Sequence, residues 1–167
     1  MGAEEHRKKA IKSVVCAVIT VSDTRTEETD ESGRRIREIL ESKGHSVKKY
    51  ALVKDDIQKI QSILRECMED NEVSAIILNG GTGVSMRDST IEAIKSFSEK
   101  DLPGFGELFR ILSYEEIGAA AMLSRAAAFV SERKAVFAIP GSTAAVGLAV
   151  EKLIAPELGH LVSEVSK

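Results

Sequence analysis

The sequence predicts an α/β fold, a mostly parallel sheet with helices on both faces. Two observations carry that expectation. Apolar runs of strand length, rich in β-branched residues, recur along the chain, and between them lie stretches whose apolar residues return at helical spacing. Alternating β and α elements favour a parallel sheet, because each crossover helix must bury its apolar stripe against a sheet face.

Ser13 to Val21, SVVCAVITV, is a continuous apolar run, as a strand buried on both faces requires. A polar loop, SDTRTEETDESG, leads into RRIREILESKG, where Ile36, Ile39 and Leu40 mark one helix face and Gly44 the stop. HSVKKYALV then reads as a strand, and DDIQKIQSILRECMED as a helix with Ile57, Ile60, Ile63, Leu64 and Cys67 on one side. SAIILN is a third, wholly apolar strand. The second half is less regular. DSTIEAIKSF reads as a helix, and Pro103 opens a glycine-interrupted helical region, GFGELFRILSYEEIGAAAMLS. RAAAFV and KAVFAI read as strands joined by the polar turn SERK, the first antiparallel to its neighbours. A helix is expected from about Ser142 to Ile154, then a break at Pro156 and a terminal amphipathic helix.

A chain of 167 residues with 43% hydrophobic content suits one domain with one core. The expected organisation is a charged N-terminal extension, 1–12, followed by a single domain, 13–167. No apolar stretch approaches a membrane span and the N-terminus has no signal-like apolar run, so the expectation is a soluble, cytoplasmic protein without membrane contact. Net charge is −3, with no Trp and only two Tyr, which argues against nucleic-acid binding. Cys16 and Cys67 stand apart in apolar segments and read as buried free thiols, and the scattered His6, His45 and His160 suggest no zinc or iron site.

In open α/β sheets ligands bind beyond the carboxyl ends of the strands, which directs attention to three loops. They are SDTRTEETDESG, NGGTGVSMRD and PGST. In the last two, small residues allow tight turns that expose N–H groups, and the helix beginning just afterwards adds the positive end of its dipole. The second loop matches neither a P-loop nor a dinucleotide fingerprint; it is either a strand-to-helix turn or an anion cradle. Ser89 and Glu92 have capping-box spacing, which leaves Asp88 free; the rival reading makes Asp88 itself the N-cap. A free Asp beside bound phosphate calls for a divalent cation between them, and one or two carboxylates plus substrate phosphates is how Mg²⁺ is usually held. Asp23, Asp30, Asp55, Asp56 and Glu107 lie in corresponding loops and are each compatible with a solvated or capping role. Together they point to a nucleotide or other phosphorylated ligand with Mg²⁺, and to phosphoryl or nucleotidyl transfer.

TVSDTR, DESG, GGTGVSMRDSTIEAI, LPGFGELFR, LSRA, IPGSTAAV and IAPELGHLV, in that order, closely resemble the MoaB/Mog family of molybdenum-cofactor biosynthesis proteins, related to one domain of gephyrin. LFRILSYEEIG points to the MoaB branch. The resemblance implies a three-layer α/β/α fold of molybdopterin-binding type, assembled as a homotrimer or a hexamer of two trimers. It implies Mg²⁺-dependent transfer of AMP from ATP to the terminal phosphate of molybdopterin, releasing pyrophosphate, with the product handed to a metal-insertion protein for molybdenum or tungsten. Asp55 and Asp88 would serve catalysis and hold Mg²⁺; Gly80, Gly81, Thr82 and Gly83 would wrap the nucleotide. Ser22, Asp30, Ser32 and Ser142 would line the pterin and phosphate pocket, with Glu107 at its edge. Two positions depart from the family pattern: Lys54 stands where Pro is common, which leaves Asp56 as an alternative to Asp55 for the second acid, and Phe129 stands near a usual glycine. The alternatives are a catalytically weak molybdopterin-binding scaffold and a related nucleotide-processing domain acting on another substrate.

Overall fold

β1 (Val15–Val21) lies inside the sheet, and its pleat sends successive residues to opposite faces. Cys16 and Val18 join one core cluster, whereas Ala17, Ile19 and Val21 join the other. Apolar residues at every position but Thr20, whose hydroxyl is hydrogen-bonded, are therefore what a strand covered on both sides needs. The computed structural model describes residues 10–167; residues 1–9, including His6 and most of the expected extension, lie outside the described residues.

α1 (Glu31–Ser42), β2 (Ser46–Val53), α2 (Ile57–Glu69) and β3 (Ala75–Asn79) follow the expected order. Next come α3 (Thr90–Ile94), a two-residue edge strand β4 (Lys100–Asp101) that the sequence did not announce, and α4 (Pro103–Ile117). β5 (Ala127–Ser131) and β6 (Lys134–Ile139) form a hairpin through Glu132 and Arg133, both at positive φ. The six strands are ordered β2-β1-β3-β6-β5-β4. β2, β1, β3 and β6 run parallel, and β5 is antiparallel to both neighbours, as expected.

Helices cover both faces, giving three layers. One layer brings Ile36 and Leu40 of α1, Phe109 of α4 and the C-terminal residues Val150, Ile154 and Leu158 against the sheet. The other brings Ile60, Leu64 and Cys67 of α2 and Ala93 and Ile94 of α3. Cys16 and Cys67 are buried and unbridged in opposite layers, and burial pushes the Cys16 thiol up to about 12.

The expected break at Pro156 is absent. α5 (Thr143–Val146) continues through a π-helical stretch, Gly147–Ile154, into α6 (Ala155–Val165), with Pro156 in the first turn of α6. The π-helical stretch before it already departs from i→i−4 bonding, so the proline ring meets no α-helical ladder to interrupt. Among the described residues no helix is long and apolar enough to cross a membrane.

Candidate active site

β2 and β3 flank β1 on opposite sides, so the chain leaves β1 in one direction and returns on the other. That reversal opens a crevice at the carboxyl ends of β1 and β3. Gly80 sits in it at φ 98°, its N–H donating to the Ile139 C=O at 3.0 Å, and a Cβ there would collide with the Val21 C=O. Only glycine permits both the conformation and the approach.

The next residues form a one-sided loop. Thr90 Oγ1 donates to the Gly80 C=O at 2.7 Å and Thr90 N–H to the Gly81 C=O at 3.0 Å. Arg125 takes the following pair, its N–H reaching the Thr82 C=O at 3.2 Å and its Nε the Gly83 C=O at 2.7 Å. All four carbonyls are thus satisfied, while the N–H groups of Gly81, Thr82 and Gly83 have no acceptor among the described residues. A run of main-chain donors with its acceptors tied back is an anion-binding surface.

Two carboxylates border this loop. Asp55 Oδ1 accepts from the Ser89 N–H at 3.0 Å and the Ser89 hydroxyl at 2.5 Å. Asp88 Oδ2 accepts from the Ser85 N–H at 2.9 Å, closing the turn Ser85–Asp88. The other oxygen of each has no donor among the described residues. A Cβ on Gly81 would stand 2.7 Å from Asp55 Oδ2, and one on Gly83 would stand 2.7 Å from Asp88 Oδ2. The two acids open onto adjoining clefts that share Ile57, Met86 and Ser89.

Both expected capping arrangements fail here. Ser89 occupies the N-cap position of α3 but its side chain makes no cap bond, because an anionic acceptor, Asp55, lies within reach. Glu92, the other half of the expected box, pairs with Arg125, and that contact lowers its carboxyl pKa. Asp88 is not the cap either; it closes its own turn. Asp55 and Asp56 separate cleanly: Asp56 caps α2 through the Lys59 N–H at 3.0 Å, and Asp55 faces the loop.

Asp30 is 1% exposed and lies beneath the crevice. It caps α1 through the Gly33 N–H at 3.0 Å and accepts from Thr20 Oγ1 at 2.5 Å and the Tyr50 hydroxyl at 2.6 Å, with Arg25 Nη1 3.5 Å away. Burial raises its pKa, but these donors and the Arg25 charge outweigh that and the net shift is downward. Burial and the Asp30 charge together push the Tyr50 hydroxyl up to about 12. Thr20 Oγ1 in turn accepts from Asn79 Nδ2 at 2.9 Å, extending the network under β3.

The serines are held by the backbone. Ser22 Oγ accepts from the N–H groups of Thr24 and Arg25, and Ser142 Oγ caps α5 through the Ala145 N–H at 3.2 Å. Ser32 donates to the Gly141 C=O at 2.5 Å, which also accepts from Arg25 Nη2 at 2.8 Å, joining the loops after β1 and β6. Glu107 does not join them. It is exposed on α4 and lines a separate cleft with Lys95, Asp101 and Arg110, because α4 starts from the β4 edge of the sheet.

Arg125, Arg25, Thr90 and Tyr50 organise the site, yet sequence reasoning gave them no role. The available signal was the placement of Arg25 and Arg125 inside the family-like strings TVSDTR and LSRA, each a cation in an otherwise acidic or apolar neighbourhood.

Comparison with known proteins gives consistent results. A model of the probable molybdopterin-binding domain family matches residues 17–160. The molybdenum cofactor biosynthesis protein B of Bacillus subtilis is 53% identical over the whole chain and 99% of its own length. Its counterpart from Halalkalibacterium halodurans is 52% identical over the same shares. A crystal structure of a molybdenum cofactor biosynthesis protein B superposes with a TM-score of 0.90 at 50% identity, covering 93% of this chain and 97% of that one. The tungsten cofactor synthesizing protein MoaB from Pyrococcus furiosus gives 0.84 at 37% identity, covering 95% and 100%.

Proposed function

The chain belongs to the MoaB/Mog family of molybdenum-cofactor biosynthesis proteins, and on that premise we propose that it transfers AMP from ATP to the terminal phosphate of molybdopterin. The observation that carries the reading is the 80–83 loop, with every carbonyl tied back and three N–H groups without an acceptor among the described residues, bordered by two carboxylates that each keep one oxygen without a donor among them. Neutral main-chain donors suit a polyphosphate, and the acids need a cation to tolerate it.

The donor set fits Mg²⁺. Among the described residues no group of three or more His, Cys, Asp or Glu could cage a metal, so a cation here must share its coordination between Asp55, Asp88 and substrate phosphates. Bound there, Mg²⁺ would offset the charge of the two reacting anions. The attacking phosphate oxygen is already anionic and needs no general base. Its new bond to the α-phosphorus forms as the bond to the β-phosphate oxygen breaks, and the electron pair leaves with pyrophosphate. Gly81, Thr82 and Gly83 donate to phosphoryl oxygens, while Gly80 turns the chain; Ser22, Ser32 and Ser142 line the pterin side above Asp30.

Assembly belongs to the same reading. Leu108, Ile111, Tyr114 and Ile117 of α4 are exposed, as are Met122 and Leu123 just beyond it, a contiguous apolar surface suited to a homo-oligomer contact.

The test is incubation of the pure protein with molybdopterin and MgATP, followed by detection of an AMP adduct and pyrophosphate. Asp88→Asn should keep the fold and lose about 100-fold or more of turnover. Normal turnover in that variant sinks the assignment. Tight pterin binding without any adduct from the unaltered protein favours a scaffold instead.

A further inference from the structure

Three loops meet at one carboxylate that the reading above leaves without a task. Asp23, after β1, accepts from the Asp55 N–H at 3.1 Å through Oδ1. Its Oδ2 accepts from Arg87 Nε at 3.1 Å and Nη2 at 2.6 Å. Arg87 Nη2 lies 3.4 Å from the Asp55 C=O, and Lys54 Nζ donates to the Asp23 C=O at 2.6 Å. The main-chain N–H and C=O of Asp55 therefore both meet the Asp23–Arg87 pair. Arg87 immediately precedes Asp88. The latch thus joins the main chains that carry the two acids of the crevice.

This pair adds little to folding. The side chains of Arg87 and Asp23 are 72% and 37% exposed, and ion pairs so open to water contribute little to stability. Positioning is another matter, because no proline stiffens 54–56 and the 84–87 segment is exposed throughout.

We propose that Asp23 is a positioning residue for AMP transfer: its carboxylate, through Arg87 and the Asp55 N–H, fixes the separation of the Asp55 and Asp88 carboxylates. The inference rests on the adenylyl-transfer reading. Asp23 touches no reacting atom in this role; it acts through the main chain of Asp55 and the turn that ends at Asp88.

The experiment uses the full chain and compares Asp23→Ala, Arg87→Ala and the double variant, with Asp23→Asn as the conservative change. Steady-state AMP transfer, thermal midpoint and amide exchange at Asp55 and 85–89 are measured for each. Misplacement of a catalytic group by about 1 Å costs up to about 100-fold; each single variant should lose at least about tenfold in kcat, with KM for MgATP within about twofold. The double variant should be no slower than the slower single one, since both break the same latch. Asp23→Asn, which keeps an acceptor for the Asp55 N–H, should recover part of the loss. Thermal midpoints should agree within about 2 °C, while exchange at Asp55 and 85–89 quickens in both single variants. Multiplicative losses in the double variant, or unaltered kcat despite faster exchange, overturn the proposal. Unaltered exchange removes the latch itself. Absence of AMP transfer by the unaltered protein overturns the functional reading and the positioning role together, and exchange then still reports whether the loops are coupled.

Discussion

Asp30, beneath the crevice, and Asp88, at its border, both end a loop that follows a strand and differ in almost everything else. Asp30 is 1% exposed and surrounded by Thr20, Tyr50, the Gly33 N–H and Arg25. Asp88 is half-buried, with one oxygen on the Ser85 N–H and the other without a donor among the described residues. The difference separates two uses of the same side chain. A carboxylate whose acceptor capacity is filled from within organises the fold; one with an oxygen facing outward can meet a ligand.

The sharpest way to break that comparison is to remove each acid and measure stability. Asp30→Ala should cost about 3–5 kcal/mol, because it leaves buried donors and Arg25 without their anion. Asp88→Asn should cost within about 0.5 kcal/mol while losing AMP transfer. Equal denaturation midpoints for the two variants would erase the distinction. Next in size is Gly80→Ala, expected to cost about 3 kcal/mol from positive φ and the collision with the Val21 C=O. Chemical denaturation reads it directly. Gly83, which is not at positive φ, should tolerate alanine better for the fold, although its Cβ would press on Asp88.

A smaller effect is expected from Tyr50→Phe, about 1.5–3 kcal/mol for a hydrogen bond to a charged acceptor. Its pH signature is more telling than its size. The folded Tyr50 titrates near 12, above the ordinary value of 10.0, so its contribution is complete below pH 10 and fades as pH rises toward 12. Asp30 is shifted downward, so its contribution is complete above the ordinary carboxylate range and is lost as pH falls through the lowered value. Stability curves against pH should therefore lose part of the alkaline limb in Tyr50→Phe and part of the acid limb in Asp30→Asn. Superimposable limbs would mean that the network under β1 does not set them. The smallest change expected in the crevice comes from Ile111→Glu on α4, which should weaken self-association in sedimentation while leaving the acids undisturbed, since residue 111 lines neither of their clefts.

The alternation of strands and helices, the antiparallel β5 and the crevice loops were all legible in the chain, because apolar period and glycine placement are properties of a few consecutive residues. Among the element boundaries, the break read at Pro156 failed, since the helix before it had already left α geometry.

The site divides along the same line. The sequence by itself marked NGGTGVSMRD as a tight turn with an acid at its end and offered two local accounts of the helix start, a Ser89–Glu92 capping box that leaves Asp88 free and a cap by Asp88 itself. Neither formed. Ser89 turned to Asp55, 34 residues away, and Glu92 to Arg125, 33 residues away. A cap is written in adjacent residues, but its side chains go to the strongest acceptor or donor within reach, and only the order of the strands in the sheet, which sets the loop after β2 and the segment before β5 beside the loop after β3, determines what is within reach.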